Sequence, residues 1–351
     1  MRVLHVLDSL VPAGSAAVHL RLLANLPPGD VHDIVALEGG SLEGAFRAIA
    51  GDVVTGPDTA RLDQLLASAY DVACVTSSAT AERVVPRAVT TTRTRLVYCK
   101  GYDVSARLRL TDGHERAEED ALLAACDHVV FTTGQLAEEY PVTAGARTTI
   151  LGPAADVRPL LAIPPPAATA PARILALTGA TSRRRLGDLV AALELVRQRV
   201  PDATVRVVGP SDPVESGRVE RLAARAGLGG AFTLGGMVPD IAPELAAARV
   251  VALPSSSQGA PLPILEALAA GRPVVATTAG HGAAVMDDGV EGFLVPVGDV
   301  PLMAARLTAL LTNHPLAATM GSAGRRRAAG HSVEAIARRL AEILATAGGV
   351  R

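Results

Sequence analysis

The sequence contains no tryptophan, and Phe, Trp and Tyr together make up 2% of its 351 residues. Charged residues are only 19%, with a formal net charge of −2. Nucleic-acid binding draws on a basic field and on aromatic platforms, and this chain has neither, so no nucleic-acid partner is expected. Cysteine is scarce too. Cys74, Cys99 and Cys126 are odd in number and have no paired spacing, which argues against a disulfide framework or a Cys-rich zinc site. Each lies in or beside an apolar run and reads as a buried thiol. No stretch of about 18 uncharged apolar residues is present, so no membrane span is expected. The opening MRVLHVLDSL is broken by His5 and Asp8, so no secretory leader is expected either. A cytoplasmic location is the default expectation, with peripheral membrane contact left open. Lysine occurs once, at Lys100; every other long basic side chain is Arg.

What the chain does have is apolar material, at 49% of residues. At roughly 100–200 residues per domain, its length suggests two domains. Short apolar runs alternate with amphipathic stretches. Strands are expected at Val3–Leu7, Asp33–Leu37, Asp52–Thr55, Val72–Thr76, Leu96–Cys99 and Val129–Thr132. Helical patterns at Ala16–Leu26, Leu62–Ser68 and Glu115–Ala125 lie among them. Such alternation is the mark of a parallel sheet covered on both faces. The Pro-rich stretch Asp156–Ala172 reads as a semi-rigid linker. The pattern then restarts, with strands expected at Ile174–Leu177, Thr204–Val208, Phe232–Leu234, Val250–Leu253 and Pro273–Ala276. The helices expected here are Leu186–Gln198, Val219–Ala226, Ile241–Ala247, Leu262–Ala270, Leu302–Leu311 and Val333–Ala345. The fold expected is α/β, with two doubly wound Rossmann-like domains facing across a cleft. In such sheets ligands sit beyond the carboxyl ends of the strands.

The segment Leu253–Thr277, LPSSSQGAPLPILEALAAGRPVVAT, concentrates the chemistry. A buried strand ends at Pro254, a loop of small residues follows, and then a helix carries Glu266. Free N–H groups at a helix start suit a phosphate or an anionic leaving group. Gly259 and Ala260 let backbone approach a ligand closely. A carboxylate at Glu266 suits a pair of vicinal hydroxyls, as on a ribose. The competing reading is a plain strand–loop–helix with an exposed Glu.

This segment resembles the donor signature of the family-four, glycogen-synthase-like retaining glycosyltransferases of the GT-B fold. Pro254-Ser255, Gly259, Pro263, Glu266-Ala267, Ala269, Gly271 and Pro273-Val274-Val275-Ala276 match its pattern in register. Asp287–Asp299 is similar to the family's continuation, SVEAIARRLAEIL to its last helix, and the opening to its Gly-rich first loop. The resemblance implies residues 1–160 as an acceptor-binding domain and 161–330 as a nucleotide-sugar-binding domain. It implies that 331–351 is a helix crossing back to the first. It further implies transfer of a sugar from a UDP- or GDP-linked donor to a small-molecule acceptor, with no metal and no other cofactor.

Residue by residue, Glu266 maps onto the ribose-binding Glu. Gly259, Ala260, Pro261 and Leu262 map onto the loop that meets sugar and phosphate. Gly14 maps onto the first loop, and Gly209 and Gly236 onto the backbone that selects the base. The family's diphosphate-gripping Arg and Lys fall at Ala180, which loses the charge, and Arg185, which keeps it. Arg183 or Arg184 could substitute from alongside, where cations would stabilise a leaving diphosphate. A solvated helix start is the other reading of these arginines, but three positives there oppose the helix dipole. Gln258 stands where the family has a Glu, able to hydrogen-bond sugar hydroxyls without charge. Lys100 falls at a His place near the acceptor. It is either an ordinary loop lysine or a ligand for an acceptor carboxylate or donor phosphate. Lys100, Arg185 and Gln258 are the expected catalytic positions. Asp8 and Ser9 lie in the first loop, His19 reads as structural, and His281 falls in a loop beside the donor region. These departures from the pattern suggest an unusual sugar in specialised, antibiotic-type metabolism. A non-catalytic GT-B nucleotide-sugar-binding protein and a nucleotide-sugar epimerase are the alternatives.

Overall fold

The computed structural model describes residues 1–11, 14–68, 70–76, 84–85, 94–100, 120–142, 145–256, 261–279, 282 and 284–349. They fall into two compact units, Met1–Ala154 with Val333–Arg351, and Ala155–Ser332. The division lies ahead of the expected 160/161 boundary.

In the first unit the strands are β1 Arg2–Ser9, β2 Val31–Glu38, β3 Val53–Thr55, β4 Val72–Val75, β5 Arg95–Lys100, β6 His128–Phe131 and β7 Arg147–Ile150. They form one parallel sheet in the order β3-β2-β1-β4-β5-β6-β7. Alternate residues of β1 feed different cores: Leu4 and Val6 pack on one side, Val3 and Leu7 in separate clusters. The C-terminal helix Val333–Ala347 buries Ile336, Ala337, Leu340 and Leu344, at helical spacing, against this sheet and the helix Gly14–Leu23. Of the helix expected at Glu115–Ala125, residues 115–119 lie outside the described residues.

In the second unit the strands are β8 Arg173–Leu177, β9 Thr204–Val208, β10 Phe232–Leu234, β11 Val250–Leu253, β12 Val274–Thr277 and β13 Gly292–Val295. The sheet is again parallel, in the order β10-β9-β8-β11-β12-β13. Ile174 and Ala176 of β8 face one core, and Leu175 and Leu177 the other. Its helices start where the local chemistry dictates. Asp212, Asp299 and Asn313 each accept backbone N–H bonds from the turn that follows, and each is followed by a Pro in the first turn.

Two expectations need correction. The Asp156–Ala172 stretch is not a bare linker. Arg158–Leu161 forms a helical turn, and Val157, Leu160 and Ile163 are buried in a second-unit core. Pro159 sits in the first turn of that helix, where its missing N–H costs nothing. Two arginines hold the carbonyls that follow. Arg272 donates to Pro164 O at 2.9 Å, and Arg325 to Leu161 O at 2.7 Å and to Ile163 O. A helix at His314–Ala329 was also not expected. It packs on the helix Leu262–Ala269 through Gly324, where an added Cβ would stand 2.9 Å from Leu268 Cδ2.

Candidate functional site

The strand order of the second unit reverses beside β8, between it and β11, and this is where a doubly wound sheet binds ligands. The residues just after these two strands are buried and joined. Thr178 Oγ1 lies 3.4 Å from Ser255 Oγ, and the Thr277 hydroxyl donates to the Ser255 carbonyl. The loops after β8, β9 and β10 are stitched through backbone. Gly179 N–H donates to Val208 O at 3.0 Å, Ala180 N–H to Pro210 O at 3.0 Å, and Gly209 N–H to Gly236 O at 2.9 Å. These bonds require close approach: a Cβ on Gly179, whose φ is +69°, would run into the Pro210 carbonyl.

Beside these loops lies a cavity of about 240 Å³. Thr178, Gly209 and Pro210 form its strand-end wall, and Met237 and Ile241 stand on another side. Pro263 and Glu266 close it from the helix Leu262–Ala269, three residues apart and hence on one helical face. Among the described residues no side chain caps this helix, which starts after the buried Pro261. Arg184 completes the lining. It ends the short 3₁₀ turn Ser182–Arg184, and Ser256 fixes that turn by donating from its N–H (2.9 Å) and its hydroxyl (3.2 Å) to Arg183 O. Burial, and secondly Arg183, lower the Arg184 pKa below the usual guanidinium value.

Arg185 behaves differently from its neighbour. It has φ +49° and ψ +40°, the left-handed region, and among the described residues it is the only non-glycine with positive φ. Its Nε donates to Asp188 Oδ2 at 2.7 Å, and its side chain is not part of the cavity lining.

Residues 172–313 match the family model described as Glycosyl transferases group 1. The whole chain superposes on HepE from Anabaena, solved with UDP, at a TM-score of 0.81 and 19% identity, covering 99% of this chain and 100% of that one. The match to that family model lies within the second unit, and the chain has the GT-B fold. A GDP-mannose-dependent alpha-(1-6)-phosphatidylinositol monomannoside mannosyltransferase from Mycolicibacterium smegmatis is 32% identical over 161 residues, 43% of this chain and 42% of its own length. A D-inositol 3-phosphate glycosyltransferase from Kribbella flavida is 30% identical over 239 residues, 62% of this chain and 55% of its own. The chain thus matches about two-fifths to just over half of the length of these curated relatives.

Within the matched residues 172–313, Arg184, Gly209 and Glu266 come together at one cavity. Gly236 supports it from behind, through its carbonyl to Gly209. Leu262 opens the helix and packs partly against the core. Ala180, at the family's Arg place, is fully buried in the core. Gln258, Gly259, Ala260 and His281 lie outside the described residues. Sequence reasoning missed Thr178, Met237 and Ile241. Met237 is a large apolar side chain 73% exposed at the cavity, a property that the structure and not the sequence reveals.

The other expected residues belong to the first unit. Gly14 is the first residue of the helix Gly14–Leu23. Lys100 ends β5 and is buried, with Nζ 4.0 Å from the centroid of the Tyr140 ring and 5.9 Å from that of Tyr98. His19 is buried, its Nε2 2.9 Å from His5 Nδ1, and His5 Nε2 is 2.9 Å from His32 Nδ1. Among the described residues no group of three or more His, Cys, Asp or Glu could hold a metal ion. None of the described helices is long and apolar enough to cross a membrane.

Proposed function

We propose that the chain is a retaining glycosyltransferase that moves a sugar from a nucleoside-diphosphate donor to a small polyhydroxylated acceptor, without a metal. The observation that carries this reading is the placement of Glu266 and Arg184 at one cavity beyond the carboxyl ends of parallel strands. Glu266 accepts the ribose hydroxyls, and the start of the helix Leu262–Ala269 faces the diphosphate. The cavity is smaller than the roughly 300–1,000 Å³ of a drug-sized ligand pocket, which suits the ribose and diphosphate part of the donor rather than all of it. In the reaction the bond from the sugar C1 to the diphosphate oxygen breaks as the acceptor oxygen bonds C1 from the same face. The departing diphosphate oxygen takes the acceptor proton, so no separate base is needed. Gln258 serves the sugar hydroxyls as a neutral donor and acceptor, and Lys100 serves the acceptor chemistry of the first unit.

The relatives support GDP-linked and UDP-linked donors as the first to try, and inositol-type acceptors ahead of an antibiotic scaffold. A panel of UDP- and GDP-sugars with inositol phosphates, read by mass spectrometry, should give a glycosylated product whose anomeric configuration by NMR matches the donor. A deoxy- or amino-sugar as the best donor would support the specialised-metabolism setting; GDP-mannose or UDP-glucose as the best would remove it. Glu266→Ala should lower kcat/KM about 100-fold, the equivalent of losing charge-assisted hydrogen bonds to two hydroxyls. Tight nucleoside-diphosphate binding with no turnover of any donor would show a binding protein instead.

A further inference from the structure

We infer that the donor diphosphate is gripped by Arg184, one residue ahead of the position where the family resemblance puts the cation, and that Arg185 acts only as a positioning residue. The inference rests on the donor-site reading above and divides its labour between two adjacent arginines. Three observations separate them. Arg184 lines the cavity that Glu266 lines, and Arg185 does not. Arg185 already has an anion, since Asp188 takes its Nε at 2.7 Å from the first turn of the following helix. Among the described residues no carboxylate pairs with Arg184, although it is half-buried. A guanidinium partly removed from water without a counter-ion is costly, and an incoming diphosphate relieves that cost. Burial and Arg183 both work against the Arg184 charge, in the sense that a bound anion reverses.

The backbone explains why the two side chains part. The 3₁₀ turn is held by Ser256 on Arg183 O, and Arg185 then adopts the left-handed conformation that starts the next helix. Arg184 thus ends the 3₁₀ turn while Arg185 caps the helix Leu186–Arg197, so the two side chains belong to different elements. Asp188 keeps the second one against the Val295–Val300 loop, where a Cβ on Gly298 would lie 3.2 Å from Arg185 Nη2.

The test compares affinities by calorimetry for uridine and UDP, and for guanosine and GDP, in the wild type, Arg184→Gln, Arg184→Ala and Arg185→Ala. Both Arg184 variants should lose about 10- to 100-fold in affinity for the nucleoside diphosphate while nucleoside affinity is unchanged. Arg185→Ala should lose about threefold or less. Without ligand, the Arg184 variants should melt no lower than the wild type, because they remove an uncompensated charge. That reading keeps a folding defect from imitating the result. A larger diphosphate loss in Arg185→Ala than in Arg184→Ala overturns the assignment and leaves the donor-site reading standing. Failure of the wild type to bind any nucleoside diphosphate overturns both.

Discussion

The two units bury polar side chains by opposite means. The first threads three imidazoles, His19, His5 and His32, through contacts of 2.9 Å between helix, β1 and β2. The second buries Arg272 as a cation, 1% exposed, on four carbonyls: those of Leu245, Ala246, Ala270 and Pro164. An imidazole can discard its proton when water is taken away, so burial, followed by the neighbouring imidazoles, holds His5 well below its ordinary value. A guanidinium cannot do so at any ordinary pH. Burial, then Arg325, lowers the Arg272 pKa only to about 10, and the chain has to supply carbonyls in place of water. The first unit's buried network is therefore conditional on pH, and the second's is not.

The sharpest way to break the comparison is to remove the buried cation. Arg272→Met leaves four carbonyls short of a donor and loses the clamp between the 164 carbonyl and the end of the helix Leu262–Ala269. The second unit should lose on the order of 3–5 kcal/mol, with the first nearly unaffected. Hydrogen exchange read separately over peptides of each unit measures this. An equal loss in both would mean that the units do not unfold separately.

Acid should act on the other unit. His19 is held down to about 4, first by burial and then by His32, against an ordinary 6.5. Between those values the unfolded chain binds the proton and the folded chain does not. Stability is therefore full above about pH 6.5 and falls as pH drops towards 4. His19 alone accounts for on the order of 3 kcal/mol over that span. Urea melts at pH 7.5, 6, 5 and 4.5 should show the first unit weakening well ahead of the second. The pH slope should flatten in His19→Leu. An unchanged slope would remove the imidazole chain as its cause.

Both parallel sheets were legible because their strands are apolar runs buried on two faces. β7, RTTI, was missed because three of its four residues are polar and it lies at the sheet edge. The helix His314–Ala329 was missed because HPLAATMGSAGRRRAA has little apolar periodicity. Its glycines are there for close approach to a neighbour, a tertiary reason that a periodicity count does not register. The Pro-rich stretch hid a helical turn because Pro is unfavourable inside a helix and acceptable at its start. At the site, Glu266 could be put on a helix after a buried strand from the residue pattern, but its preference over a plain exposed Glu came from the family resemblance. The parting of Arg184 and Arg185 could not be read from the sequence, because it depends on a left-handed residue that is not glycine. The residues that link loops across the sheet, Thr178 and Ser256, gave no signal because their partners are distant in sequence.

A smaller substitution asks whether the second unit's loop network acts as a whole. Asp212 caps the helix Pro213–Arg225, its Oδ1 accepting from Val214 N–H and Glu215 N–H at 2.9 Å. Its own N–H donates to Ala180 O at 2.8 Å, and Ala180 N–H donates to Pro210 O, whose residue lines the cavity. Asp212→Ala keeps those backbone bonds and loses only the cap, which should cost about 1 kcal/mol. If the loops after β8 and β9 are fixed by their own backbone bonds, nucleoside diphosphate affinity should change by less than about twofold while the melting temperature falls. A larger loss of affinity would show that the cap sets the position of the Gly209–Pro210 wall. The second unit's site would then depend on a side-chain cap at its edge as well as on its own backbone bonds.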